Sequence, residues 1–270
     1  MLTKVRVKRL IRPYVRQSVL TYLRPWLELS PVGRRLLTYT WAGIYPHLND
    51  VNPAGVMDPD SAWQQFHDSS VDDRQDVDDS DWYTFLPMLV SIVGHETKSE
   101  TVRVLDYGGG IGTEYSNLLK MTSQGVDYHI VELEYACRRG NALFRHDKRV
   151  HFHKSLPAGL PVDIVHLNSS LQYVEEYAGL LKALCGYGAR YVSILRTNFS
   201  ECPSFATAEL NISQESVIPC WFFNLDEIIS LLKEEGYSLT FKRTLADHSH
   251  QANLPEAHRG QPLALLFCRR

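Results

Sequence analysis

The chain has 270 residues, 44% of them hydrophobic, and a formal net charge of −3 at pH 7. That composition supplies a sizeable core and excludes both a disordered chain and a strongly basic nucleic-acid-binding protein. Cys137, Cys185, Cys202, Cys220 and Cys268 form no C-x-x-C pair, so they indicate neither a zinc site nor a disulfide framework and suit a reducing cytoplasm.

The N-terminal segment is basic, with Glu28 the only acid between Lys4 and Arg35. Leu10, Ile11, Leu20, Leu23 and Trp26 lie among the cations, so the arm fits peripheral contact with an anionic membrane, contact with a partner, packing on its own domain, or a solvated tail. Pro13 interrupts any continuous helix there. No apolar run is long enough to span a bilayer, and the start lacks the apolar core of a signal peptide. The expected location is the cytoplasm, with the arm available to the inner face of the membrane.

Residues 68–81 are too acidic for a dry core and read as a loop. They lack the central glycine and terminal glutamate of a calcium-binding loop, so no metal is assigned. Trp82 to Val93 has the apolar content of a packed helix, which Pro87 would bend or divide. The chain therefore divides into a basic arm (1–40), a helical and loop extension with the acidic stretch (41–100) and a main domain (101–270).

Val102 to Leu105 reads as a buried strand and Glu114 to Lys120 as a helix. Between them stands Asp106-Tyr107-Gly108-Gly109-Gly110-Ile111-Gly112. Glycine permits positive φ and close approach of a ligand to the backbone, and the helix start offers free N–H groups. A dinucleotide fingerprint would need a third glycine where Thr113 stands, which argues against a nicotinamide-dependent oxidoreductase. The spacing is instead D-x-G-x-G-x-G through Asp106, Gly108, Gly110 and Gly112. It resembles motif I of the class I S-adenosylmethionine-dependent methyltransferases, and that resemblance makes Asp106, Tyr107, Gly108, Gly109, Gly110 and Gly112 cofactor-binding candidates.

Tyr128 to Glu132 is the next strand, ending in an acid about twenty residues past the glycines, the spacing of a carboxylate that accepts from ribose hydroxyls. Glu132 takes that role, with Glu134 as the alternative. Strands follow at Val150–His153, Val162–Leu167 and Tyr191–Leu195, with a helix from about Leu171 to Leu184 after the second of these. Asn198 to Phe223 is long for a connection and suits a lid over an acceptor, a subunit contact through Trp221, Phe222 and Phe223, or packing on its own core. Asn224 and Glu227 form a capping box for a helix that Gly236 ends, and strands at Tyr237–Lys242 and Pro262–Cys268 close the chain. Strands alternating with helices imply an open, mostly parallel α/β sheet with its ligand at the carboxyl ends of the strands.

The blocks Leu105 to Gly112, Ser170 to Tyr173, Leu195 to Thr197 and Ile218 to Phe222 together resemble a family of bacterial methyltransferases associated with surface-polysaccharide genes, from roughly Trp41 to the C-terminus. The resemblance implies a Rossmann-like class I fold with a mostly parallel seven-stranded sheet, helices on both faces and a helical N-terminal extension. It also implies S-adenosylmethionine as cofactor but no known acceptor; a small-molecule or glycan acceptor is expected, with O-methylation favoured because the Asn-Pro-Pro-Tyr sequence of one group of amino-methylating enzymes is absent. His166, Tyr173 and Arg196 fall near the carboxyl ends of their strands and are the catalytic candidates; Asn168 and Gln172 are further cofactor-binding candidates. His166 reads equally as a core histidine, and Arg196 as an anchor for an anionic acceptor or the partner of a nearby acid. No nucleic-acid partner is expected, and a homodimer is open. A cofactor-binding protein without catalysis would keep the same glycines and Glu132.

Overall fold

A computed structural model describes residues 39–51, 83–211, 216–245, 251 and 254–270. Nearly all of the basic arm and the whole acidic stretch 68–81 lie outside the described residues.

The elements in chain order are β1 (Tyr39–Tyr45), α1 (Phe85–Thr97), β2 (Thr101–Tyr107), α2 (Thr113–Met121), β3 (Gly125–Val131), α3 (Glu134–Leu143), β4 (Val150–His153) and β5 (Ile164–Asn168). They continue with α4 (Tyr177–Cys185), β6 (Tyr191–Ser200), β7 (Phe205–Asn211), β8 (Ser216–Asn224), α5 (Leu225–Glu234), β9 (Tyr237–Thr244) and β10 (Gly260–Arg269). Parallel pairing runs β4-β3-β2-β5-β6, and β10 joins β6 and β9 antiparallel. The first strand of the parallel set therefore has neighbours on both sides, and β2 beside β5 is where strand order reverses. A crevice for a ligand opens at such a point.

Among the described residues the sheet has ten strands, where seven were expected. The additional strands, β1, β7 and β8, form an antiparallel extension that joins the main sheet where Phe199 and Ser200 of β6 pair with Phe223 and Asn224 of β8. Two of them come from the stretch expected as a long connection. Proline is tolerated at Pro219 because, among the described residues, its only strand partner is β7, so its missing N–H leaves no ladder bond open on the other side. Trp221, Phe222 and Phe223 are buried within their own chain, so they do not form a subunit contact. Residues 39–45, at the junction of the expected arm and helical extension, are strand.

Alternate residues of each central strand feed two cores. Leu105, Val165, Leu167, Val192 and Ile194 pack toward α4 and α5, while Val104, Tyr128, Ile130, Ile164 and Leu195 pack toward α1 and α2. Pro87 is the third residue of α1, inside the turn whose N–H groups have no helical acceptor, so the helix runs through it. The helix expected over 171–184 is broken into a short 3-10 turn at Leu171–Tyr173 and α4. Asn224 caps α5 by accepting from the N–H groups of Asp226 and Glu227, but Glu227 does not reach back to close the box. Its carboxylate takes the hydroxyl of Ser204, and that hydroxyl accepts from the Asn224 N–H instead. The cap thus also ties β8 to the start of β7.

Candidate active site

The glycine turn connects β2 to α2 with Gly108, Gly110 and Gly112 at φ of 77°, 59° and 91°. A Cβ at Gly108 would stand 2.3 Å from that of Ser170, whose hydroxyl donates to the carbonyl of Tyr107. A Cβ at Gly109 would strike the Asp106 carboxylate. The loop therefore lies against both the acid below it and the chain after β5, which only glycine allows.

Beneath the loop, polar side chains cross four adjacent strands on one face of the sheet. Asp106 is paired with His166 across β2 and β5, and His166 with Ser193 across β5 and β6. Tyr128 of β3 donates to Asp106 Oδ2 at 2.8 Å, and His166 Nδ1 meets Ser193 Oγ at 2.6 Å. Glu114, in the first turn of α2, reaches down with Oε1 3.4 Å from His166 Nε2, and its Oε2 accepts from Asn168 Nδ2 at 2.7 Å. Burial pushes the Asp106 carboxyl up to about 6, against the lowering influence of His166 and the Tyr128 hydroxyl. His166 behaves in the opposite way. Burial opposes its charge, but Glu114 and Asp106 outweigh burial and its pKa is raised.

His166 has no exposed surface, so it is held under the turn as Glu114's counter-ion and presents nothing to an acceptor. The signal missed in the sequence was Glu114, which falls in the first turn of α2 and so points back at the strand ends.

Besides Glu114 Oε1, which faces His166 Nε2 at 3.4 Å without a hydrogen bond, two buried acceptor atoms on the strands of this row have no donor: Asp106 Oδ1 and Asn168 Oδ1. They lie at the carboxyl ends of β2 and β5, on either side of the reversal of strand order. Buried acceptors without donors are costly, and a ligand that brings N–H groups removes the cost. The ammonium of an amino-acid moiety meets that need. Glu132 follows the last residue of β3, and its carboxylate accepts from the N–H groups of Leu133 and Gly110. Burial raises its pKa, with those two bonds opposing. Glu134, the alternative, is exposed and paired with Lys154 at 2.7 Å. Tyr107 ends β2 and is half-buried.

On the far side of β5, the chain leaves Asn168 through Ser169, at a φ of 58°, and Arg196 in the middle of β6 is also left-handed, at 52°. Such strain in non-glycine residues gathers at functional sites. Gln172 holds the two together, donating to Ser169 Oγ and to the Arg196 carbonyl while accepting from Thr197. This buried glutamine is placed to brace the loop. Tyr173 next to it donates to Glu209 Oε2 at 2.9 Å and packs against Trp41, Phe205, Cys220 and Phe222 of the antiparallel extension. Burial raises Glu209 to about 7, against the Tyr173 hydrogen bond and the charge of Arg196. Trp41, which pairs with Glu209 across β1 and β7, has a buried indole N–H without an acceptor. Tyr173 and Arg196 were legible candidates; Glu209 and Trp41 were not, because strands β1 and β7 were not anticipated.

The fold is similar to that of solved structures. The N-terminal domain of EvdMO1, crystallised in the presence of S-adenosylhomocysteine and D-fucose, superposes with a TM-score of 0.51 at 12% identity, over 81% of this chain and 100% of that one. The 1,6-didemethyltoxoflavin-N1-methyltransferase of Burkholderia thailandensis gives 0.49 at 18% identity, over 84% and 94%. Magnesium protoporphyrin IX methyltransferase of Synechocystis PCC 6803 gives 0.48 at 13%, over 81% and 100%. No curated protein matches the sequence. Residues 93–242 match the family model described as a methyltransferase domain. That span runs from the end of α1 through the glycine turn to β9, more than half of the chain, and the protein belongs to the methyltransferase-domain family.

Proposed function

We propose that this methyltransferase transfers the methyl group of S-adenosylmethionine to a hydroxyl oxygen of a glycan or glycan precursor. The observation that carries the oxygen acceptor is the Tyr173–Glu209 pair. A half-buried carboxyl with a pKa near 7 sits one hydrogen bond from a phenol, on the side of the β2/β5 crevice away from Glu132. A hydroxyl has to lose a proton as it attacks, and a base whose pKa lies near the working pH is the efficient acceptor of it. The unmatched N–H of Trp41 and the charge of Arg196 add a donor and a cation at the same place. The acceptor class itself rests on the family resemblance of the sequence.

S-adenosylmethionine supplies an electrophilic methyl on a sulfonium. The residues of this chain do the rest by placement. Asp106 Oδ1 and Asn168 Oδ1 receive the ammonium, Glu132 the ribose hydroxyls, and the N–H groups of the glycine turn the remainder of the ligand. Gln172 fixes the loop bearing Tyr173, so that an acceptor hydroxyl bound at Glu209 is held in line with the methyl group. Glu209 takes the hydroxyl proton, and Tyr173 orients Glu209.

The test is a methyl-transfer assay with isotopically labelled cofactor against a panel of monosaccharides, nucleotide sugars and lipid-linked sugars, with amines as the comparison. Labelled product from a hydroxyl acceptor, lost in Glu209→Gln, supports the reading. Product only from amines refutes it. The basic arm is assigned to the membrane surface on which lipid-linked acceptors lie, and binding of the full chain to anionic vesicles, lost when Arg6, Lys8 and Arg9 are changed to glutamine, tests that assignment. Among the described residues no helix is long and apolar enough to cross a membrane.

A further inference from the structure

On the face of the sheet opposite the Asp106 row, the edge formed by β3 and β4 carries another polar set. Asp127 and His129 alternate along β3, and His151 and His153 along β4, with His129 directly opposite His151. All four therefore point to the same side. The connection from β4 to β5, residues 154–163, contains no helix, so this edge lacks the cover that α4 and α5 give the strands beside it.

His129 Nε2 lies 3.2 Å and His151 Nε2 3.1 Å from the same oxygen, Asp127 Oδ1, and all three atoms are within 4.8 Å of one another. Nitrogen and oxygen ligands at 2.0–2.1 Å around a tetrahedral ion stand about 3.3 Å apart, so two edges of such a site already have the right length. The third closes by rotation of the His151 ring, which is 42% exposed. The His129 side chain is only 9% exposed, and its Nε2 makes no hydrogen bond despite the nearby carboxylate. A buried imidazole nitrogen without a hydrogen-bond partner, aimed at a carboxylate and a second imidazole, fits a coordination position. The other ring nitrogen, Nδ1, is 3.0 Å from His153 Nε2, the outer partner that ligating histidines characteristically have and that fixes the tautomer.

We propose that Asp127, His129 and His151 bind one divalent transition-metal ion of the zinc class, with His153 orienting His129 from behind. The exposed side of His151 leaves a fourth position to water. The ion ties the edge strand β4 to β3, on the opposite face of the sheet from the glycine turn's polar row.

The experiment uses the full chain stripped with a chelator. Zinc is titrated calorimetrically against a competing chelator, and cobalt is added separately for its visible absorption, which reports coordination number. One tight ion per chain, with a four- or five-coordinate cobalt spectrum, is expected. His151→Ala and Asp127→Asn, both on half-exposed residues, should weaken binding by at least about tenfold, and His153→Phe by about 10–100-fold through the outer partner. His146→Ala, at an exposed histidine elsewhere, should change nothing. Calorimetric S-adenosylmethionine binding should survive in all four, which keeps this site separate from the methyl-transfer reading. Absence of tight zinc binding, or tight binding that persists unchanged in His151→Ala and Asp127→Asn, overturns the proposal.

Discussion

Tyr128 donates its phenolic hydrogen to Asp106 Oδ2 at 2.8 Å, and the second carboxylate oxygen of Asp106 is buried without a partner. One oxygen is thus held by the protein, and the other is the one the proposed cofactor site offers to the ligand. The arrangement costs the free protein a buried carboxylate. In the proposed cofactor site it would give an incoming ammonium a place where its charge is poorly screened.

A pH dependence follows, with its sign fixed. The Asp106 pKa is raised to about 6 from 3.8, so the folded protein binds the extra proton over that window and its stability from this group falls as pH rises from about 4 to 6. Cofactor binding needs the ionised form and should weaken as pH drops below about 6. Asp106→Asn should abolish that dependence and weaken S-adenosylmethionine binding at pH 7.5 by more than about tenfold, with calorimetry at several pH values as the check.

Glu132 is expected to carry the ribose. Hydrogen bonds to a charged group contribute about 1.5–3 kcal/mol, so Glu132→Ala should weaken the cofactor by about 10–100-fold while thermal unfolding moves little. The same change at Glu134, exposed and bonded to Lys154, should leave affinity unaltered.

His166 separates a structural role from a catalytic one. It lies 3.4 Å from the buried Glu114 and has no exposed surface. Removing one partner of a buried charged pair costs about 3–5 kcal/mol, so His166→Ala should lower the melting temperature sharply. A stable His166→Ala protein with a large loss of turnover would show instead that the ring acts on the acceptor.

Glu209 should govern the acid limb of the rate profile. With its pKa near 7, turnover rises as pH passes that value, and Glu209→Gln should remove the limb and cost about 10²–10⁴-fold in kcat with cofactor affinity intact. Tyr173→Phe deletes a hydrogen bond that lowers the Glu209 pKa, so the limb should move to higher pH. A profile of wild type and both variants checks this.

Local pattern made much of this molecule readable. The buried runs of β2, β3, β5 and β6, the glycines between β2 and α2, and the Asn224 cap each follow from a few neighbouring residues, and each is where the sequence put it. The antiparallel extension was hidden because β1 pairs with β7 across more than 160 residues of chain, and because Pro219 looks like a strand breaker until its unpaired side is known. Glu209 was missed with it. The grouping of Asp127, His129, His151 and His153 shows how alternation conceals a cluster: each strand offers two polar residues two apart, and only the register of β3 on β4 brings them together. Tyr173 and Arg196 were visible because they fall near the carboxyl ends expected for their strands, although β6 runs on past Arg196 to Ser200, whereas the role of His166 depended on Glu114, a helix residue more than fifty positions away.

The most direct measurement is calorimetric titration of the full chain with S-adenosylmethionine and, separately, with NAD, alongside Gly110→Arg. Binding of S-adenosylmethionine at one site per chain, lost in Gly110→Arg with its fold intact by circular dichroism, is the expected result. Binding of NAD without S-adenosylmethionine, or S-adenosylmethionine affinity unchanged by an arginine at Gly110, would contradict the placement of the cofactor over the β2–α2 turn.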